Sequence, residues 1–384
     1  MKKVLHLSIL LLLGAVLISG CSGTAQTNTT VQTDFGQMLA NVPASFLDIG
    51  DIWYADVTGV PPALSLQEQQ EIIKIPLEER WNSIIANLPS KVLSLNHWFR
   101  YAAQPFAGFD YTQIDRLIVF APHTDNEGSI LEGAFSSANV TGELLENGYA
   151  VSEYGSHTYY TAREDYKIDL GDPLSMMVFA TMNRASVSDD MLIFFPATSL
   201  IEGIFDATDN KTTSSTDAAA GQAVMEALGE VKIGLLTTSD RLLINMTGDP
   251  SEFRFTIPDT WGVLPEYGTA AFGYRIDGED AYLDIVLTYD DKKTAEEAGG
   301  EIINRMETYE LLTQEPSLED LRTPFNDSYQ PNEPIVTQFK DGAVVKISCL
   351  IVRGARWMPD DLLGMTLSRD LLFLSPHPEQ YVIE

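Results

Sequence analysis

The chain has 384 residues, 45% of them hydrophobic, and carries 55 acidic side chains against 24 Lys and Arg, a formal charge of −31. That apolar content suffices for one large or two medium cores. The acidity argues against nucleic acid, where affinity comes from neutralising phosphates, and against lying flat on an anionic bilayer. Cationic ligands or basic partners are compatible with it, as is a plain solvated surface.

The first element is a short apolar run. Lys2 and Lys3 precede Val4–Ile18, which contains Leu10–Leu13 and closes at Ile18-Ser19-Gly20-Cys21. As a helix the run rises about 22 Å, short of a hydrocarbon core of about 30 Å, so it suits a removable signal better than a permanent span. The segment resembles a bacterial lipoprotein signal. The resemblance implies a signal peptide at 1–20, lipidation of the Cys21 thiol, and cleavage just before it. The mature protein would then sit at the cell membrane, lipid-anchored and facing the extracytoplasmic side. Residues 21–34 are polar and free of aromatics; as flexible coil they span about 20 Å, a tether lifting a folded body off the bilayer. An ordinary secretory signal ending near a cysteine is the competing reading.

Residues 35–115 read as a helical or irregular region rich in aromatics. Ser65-Leu66-Gln67-Glu68 resembles a capping box, Pro76 interrupts, and Leu77–Leu88 is a second helix with Trp81, Ile84, Ile85 and Leu88 on one side. Trp98, Phe99, Tyr101, Phe106, Phe109 and Tyr111 follow. They either pad the helices against a sheet or line a groove for an apolar or sugar-like ligand.

From 116 the period changes, and 116–247 reads as an α+β domain. Residues 116–123 and 128–135 are strands joined by a turn at Thr124–Gly128, and Ser137–Asn147 is a helix capped by Gly148. Residues 151–162 read as a strand pair or one bent strand. Residues 176–182 and 191–197 are nearly all apolar and read as central strands. Ser199–Ala207 and Asp217–Leu228 are short helices; residues 232–238 and 241–247 are strands.

Residues 248–268 hold three prolines and read as a linker. In 269–384, a second α+β domain, strands 270–276 and 280–289 flank Asp277-Gly278, a hairpin signal. The helix Thr294–Leu312 places Ala295, Ala298, Ile302, Met306 and Tyr309 on one face. Residues 313–334 read as a surface loop, 335–340 and 343–352 pair across Asp341-Gly342, and 371–375 form a last strand. The expected class is α+β: largely antiparallel sheets built from hairpins, with helices on one face and two halves of similar element order that could be related. Residues 117–237 also resemble an uncharacterised group of exported bacterial lipoproteins, through the hairpin, the Glu146-Asn147-Gly148-Tyr149 helix end, the 151–161 segment and the 189–207 stretch. That resemblance implies fold and location, and no activity.

No catalytic signature is present. His-Glu-x-x-His, Gly-x-Ser-x-Gly, the P-loop and Gly-x-Gly-x-x-Gly are all missing. His123-Thr124-Asp125 is a turn in which Asp125 could orient His123, and His157 lies among Tyr154, Tyr159 and Tyr160, where strand alternation pairs it with Tyr159. Asp206, Asp209, Asn210 and Asp217 cluster between two helices, as a solvated loop or, less simply, a calcium site. Asp291 and Asp290 suit a helix cap at Thr294. Cys349 shares a strand face with Val345, Ile347 and Ile351 and reads as a small core hydrophobe.

The site prediction is therefore Cys21 alone, for lipidation, with no catalytic, cofactor or metal residue. The expected partners are the membrane, through the anchor, and an unknown ligand or protein; no nucleic acid and no cofactor are expected. The functional expectation is a non-enzymatic binding or scaffolding protein. A solute-binding lipoprotein with a cleft between two lobes, and a carboxylate-dependent hydrolase, stay open.

Overall fold

The computed structural model describes residues 33–58, 92, 107–122, 124–171, 175, 180–239, 241–242, 257–311, 323–352 and 371–378. Expectations about Cys21, the helices at 65–88, His97, Trp98, Phe99, Tyr101, Phe106 and His123 lie outside those residues, as do 176–179 of the strand expected at 176–182 and 243–247 of the strand expected at 241–247, whose first residues Arg241 and Leu242 are helical. Gln32–Glu384 forms one compact unit.

Its strands are β1 Ile52–Asp56, β2 Ile114–Phe120, β3 Gly128–Gly133, β4 Ala150–Tyr154, β5 His157–Thr161, β6 Arg184–Val187, β7 Met191–Phe195, β8 Ile233–Thr238, β9 Thr269–Asp277, β10 Asp280–Tyr289, β11 Glu310–Leu311, β12 Thr323–Pro324, β13 Tyr329–Pro331, β14 Ile335–Phe339 and β15 Gly342–Ile351. The helices are α1 Asp34–Leu39, α2 Ser137–Glu146, α3 Thr198–Thr208, α4 Ala219–Leu228, α5 Lys292–Thr308 and α6 Phe325–Ser328. Thirteen strands make one sheet in the order β13-β15-β10-β9-β8-β1-β2-β3-β7-β6-β5-β4, with β14 also on β15; β11 and β12 pair separately. Every described pairing is antiparallel. The fold class is α+β, hairpin-rich, as expected.

Several details differ from expectation. The middle strand, β1, comes from the region read as helical or irregular. Its residues, Ile-Trp-Tyr-Ala-Asp, suit a sheet, but with the first four all buried it shows no two-residue alternation to announce it. The helices cover both faces instead of one. On one side, Trp53, Leu117, Leu131, Phe194, Leu235, Phe272 and Ile347 share a core with α2 and α5. On the other, Ile52, Tyr54, Ile118, Phe120, Ile193, Leu236 and Val286 share one with α1, α3 and α4. A central sheet apolar on both faces must be covered on both. Nor does the sheet break at 248–268, because β8 pairs with β9 across that stretch, from Ile233↔Tyr274 to Thr238↔Thr269.

The two halves correspond in topology, at boundaries other than 116–247 and 269–384. With the β4–β5 hairpin set aside, β1-β2-β3, α2 and the β6–β7 hairpin lie in the order β1-β2-β3-β7-β6. With β11, β12, α6 and β13 set aside, β8-β9-β10, α5 and the β14–β15 hairpin lie in the order β8-β9-β10-β15-β14. The two sets meet where β1 pairs with β8, Ile52↔Leu236 to Ala55↔Ile233. Gly234, opposite Tyr54, permits this centre. A Cβ there would come within 2.6 Å of the Phe35 ring, which stacks on Tyr54 at 4.7 Å and so seats α1 on the sheet.

Local departures have local causes. In both predicted hairpins the pairing holds, but the two-residue loops are Gly278-Glu279, closed by Asp277↔Asp280, and Lys340-Asp341, closed by Phe339↔Gly342. Ala180–Met182 is a turn, and the strand follows it as β6. Residues 323–334 are not a surface loop, since Phe325 and Tyr329 are buried and stacked at 5.1 Å. Leu372–Leu374 is a 3-10 turn rather than a strand. Its carbonyls have a different partner: the Arg305 guanidinium donates to Phe373 O at 3.3 Å and Ser375 O at 2.7 Å.

Arg305, 1% exposed, also donates to Glu301 Oε1 at 2.8 Å and Gly262 O at 2.7 Å, and lies 4.8 Å from the Trp261 ring. It ties the C-terminal turn and the 257–264 stretch to α5. Truncating one member of such a buried network strands the others, so Arg305→Ala should cost about 3–5 kcal/mol. Ile302→Ala, which only opens a cavity, should cost about 2–5 kcal/mol. Urea unfolding checks both, through a lower midpoint at unchanged slope.

Candidate functional site

Among the described residues, two groups singled out in the sequence come together: the tyrosine–histidine segment of β4–β5 and the acidic loop after α3. The β4–β5 hairpin turns at Gly155, with φ of 58°, so that Tyr154 pairs with His157. Strand alternation then sends His157 and Tyr159 to the α3 face, as expected. The His157 ring stacks on Phe205 at 4.4 Å and 2°, and Tyr159 packs on the same ring at 6.2 Å. α3 ends in a turn closed by Asn210 in the left-handed region, φ 57°, which swings Lys211 back over the helix end.

The polar atoms of this cluster satisfy one another. His157 Nε2 lies 3.0 Å from Asp209 Oδ1. Lys211 Nζ pairs with Asp209 Oδ2 at 2.9 Å and Asp206 Oδ1 at 3.3 Å, and sits 5.3 Å from the Tyr154 ring. The Tyr154 hydroxyl donates to Asp206 at 3.0 Å. Hydrogen bonds from Lys211 and His157 hold the Asp209 carboxyl below the ordinary carboxylate range. The bond to Asp209 raises Lys211, and the bond to Asp206 raises the Tyr154 phenol. Chemically this is a clasp: two carboxylates share one ammonium, and one of them also meets an imidazole, joining an edge hairpin to a helix end.

Asp217 is not part of it. It accepts from Ser214 Oγ at 2.8 Å, in the turn where Ser215 N donates to Val42 O at 2.7 Å. The group Asp206, Asp209, Asn210 and Asp217, read as a solvated loop or, less simply, a calcium site, is therefore divided, and Lys211 lies between Asp206 and Asp209. Among the described residues, no group of three or more His, Cys, Asp or Glu is arranged to hold a metal ion. His377 Nε2 stands 3.3 Å from Glu266 on the surface. Asp291 caps α5 by accepting from Thr294 N at 2.9 Å, as its position predicts. Cys349 is fully buried with Val345, Ile347 and Ile351, and burial pushes its thiol far up. Of the aromatic groove, Phe109 is buried against Phe135 at 5.6 Å, and Tyr111 is half-buried on the same core.

A second polar group was not singled out from the sequence. Asp284, wholly buried on β10, holds Lys346 at 2.9 Å and Arg275 at 3.2 Å through Oδ2. Arg275 lies 4.4 Å over the Tyr282 ring. The signal was a charge inside each of two apolar strands, Asp284 in β10 and Lys346 in β15, but their approach depends on register.

No protein-family model matches the sequence, and no curated protein matches it. Similar solved structures include crystal form I of the Treponema protein TP0453, at TM-score 0.32 and 8% identity over 85% of this chain and 97% of that one. Crystal form III of TP0453 has TM-score 0.33 and 9% identity over 82% and 95%. A likeness of this degree specifies neither fold nor function.

A lowered carboxyl contributes stability above its ordinary value of about 4 and loses it as pH falls through the folded value. The clasp should thus hold from neutral pH down to about 5 and loosen below about 4. Asp209→Asn should speed amide exchange of 150–161 several-fold at neutral pH and leave the interior strands unchanged. Exchange mass spectrometry against pH reads both effects.

Proposed function

We propose that the chain is a lipid-anchored extracytoplasmic protein whose body is a non-enzymatic binding or scaffolding module. The observation that carries this reading is Cys21 behind Ile18-Ser19-Gly20 and a short apolar run, followed by a polar tether. The tether ends where the body begins. Thr33 accepts from Gly36 N at 3.0 Å to cap α1, and Asp34 pairs with Arg116 of β2 at 2.9 Å. Those two residues, counted in the sequence with the tether, belong to the fold.

Two features support binding over the alternatives. A two-lobed closing cleft needs a hinge near 248–268, whereas β8 and β9 are joined there by a ladder of six residue pairs. A carboxylate hydrolase needs acids released to react, whereas Asp206, Asp209 and Asp284 each hold a cation.

Fractionation of wild-type and Cys21→Ala cells tests the anchor. The wild-type protein should partition with membranes and carry acyl chains on an N-terminal Cys21 by mass spectrometry; Cys21→Ala should lose both. Mature wild-type protein in the aqueous phase with an unmodified N-terminus would rule the reading out.

A further inference from the structure

We infer that the outer edge of β4 is a docking edge for an extended, basic segment of a partner protein, which adds to the sheet as one more strand. This names the partner chemistry of the binding reading above and rests on it. Among the described residues β4 pairs with β5 alone and ends the sheet. The hairpin turns through Gly155-Ser156, with Gly155 at φ 58°, so that Tyr154 and His157 close it as a hydrogen-bonded pair. Directly opposed residues of an antiparallel ladder alternate between bonded and non-bonded pairs. Ser152 and Ala150 therefore bond to β5, while the N–H and C=O groups of Val151 and Glu153 point away from the sheet. Both residues are exposed.

The other end of the sheet is closed to such an addition. β13 and β14 lie one after the other along β15, with Pro331 in β13 and Pro334 just before β14. Prolines have no N–H to donate and interrupt that edge. β4 holds no proline, and its register with β5 runs from Ala150 to Tyr154 without a bulge. It is also fixed in advance, because the His157–Asp209 and Tyr154–Asp206 contacts tie the hairpin to α3. An edge already in place lowers the entropy lost on binding.

Backbone valence and charge select the occupant. Unpaired N–H and C=O groups in strand spacing are satisfied by an extended chain. Val151 lies opposite Tyr160, whose hydroxyl stands 3.4 Å from Thr141 Oγ1 of α2, so Val151 and Glu153 face the α2 side. There Val151 is 56% exposed, and Leu145, in the last turn of α2, 45%. Residues 134–162 hold Glu143, Glu146 and Glu153 and no Lys or Arg. None of these glutamates has an ion-pair partner among the described residues. Lys211 belongs to the α3 face, paired with Asp206 and Asp209. Arg163 and Arg184 lie beyond the Thr161 end of β5, and Arg184 pairs with Asp165. Basic side chains on the added strand complement the glutamates, and small apolar ones meet Val151. A second copy pairing through β4 would bring the same carboxylates, and an anionic bilayer would be repelled.

The test titrates the full mature protein with a synthetic peptide repeating Lys-Thr-Val-Thr, which sets Lys and Val on one face of a strand and Thr on the other. The same peptide with Glu for Lys, and one with Pro for Thr, serve as controls. The Lys peptide should bind and slow amide exchange at Val151 and Glu153, read residue by residue, whereas Ser152, already bonded to β5, should change little. Val151→Pro removes an outward donor without removing a bond to β5 and should weaken binding at least about tenfold. Glu153→Lys should weaken it about two- to fivefold. An unchanged thermal midpoint verifies folding; where Val151→Pro lowers it, the exposed Glu153→Lys and the exchange pattern decide. Failure of the Lys peptide to bind, equal binding of either control, protection elsewhere, or undiminished binding by the folded variants would each overturn the proposal. So would self-association that depends on β4. The Cys21 fractionation reads the anchor alone and is indifferent to these results.

Discussion

The structure depends on one short strand. β1 is hydrogen-bonded to β2 on one edge and β8 on the other, and so joins two topologically matching sets of strands into one sheet. A strand in that position is buried on both faces and can carry almost nothing polar. Trp53 and Ala55 face the α2 and α5 core, while Ile52 and Tyr54 face the α1, α3 and α4 core. Tyr54 shows the cost: its hydroxyl is buried without a hydrogen-bond partner, a penalty of about 1–3 kcal/mol. Burial of the ring and its stack on Phe35 offset that penalty.

Around this sheet, buried charges act as pins. Arg305 gathers carbonyls from two distant stretches onto α5, Arg184 shapes the loop after β5, and Asp284 draws Lys346 of β15 and Arg275 of β9 together across β10. Such groups contribute little net stability compared with apolar replacements, but they penalise any arrangement that leaves them unpaired. Arg305 and Arg184 fix irregular backbone that has no ladder of its own, whereas Asp284 ties neighbouring strands that already pair.

The polar clasp shows how far sequence reasoning reaches toward a site. Alternation along β5 placed His157 with Tyr159 and away from Tyr160, and the structure agrees. The acidic residues after α3 were also visible as a group. That His157 meets Asp209, 52 residues later, follows from α3 packing beneath the edge hairpin, which no local pattern records. Lys211, which bridges both acids, looked like part of a solvated loop because its partners become neighbours only when Asn210 reverses the chain.

The sequence by itself determined the hairpins, the principal helices, the Asp291 cap and the core face of Cys349, because each depends on residues within a few positions of one another. The proposal of a signal at the front end rests on length and composition alone, which are legible without a fold. Only the tertiary structure decided that the sheet is single, that both its faces are covered, and that β1 lies at its centre. Those features depend on pairings between segments up to 180 or so residues apart, as Ile52 with Leu236. An apolar run is equally apolar whichever strand it joins; its neighbours are chosen by the sum of all other packing, which is not written at any one position.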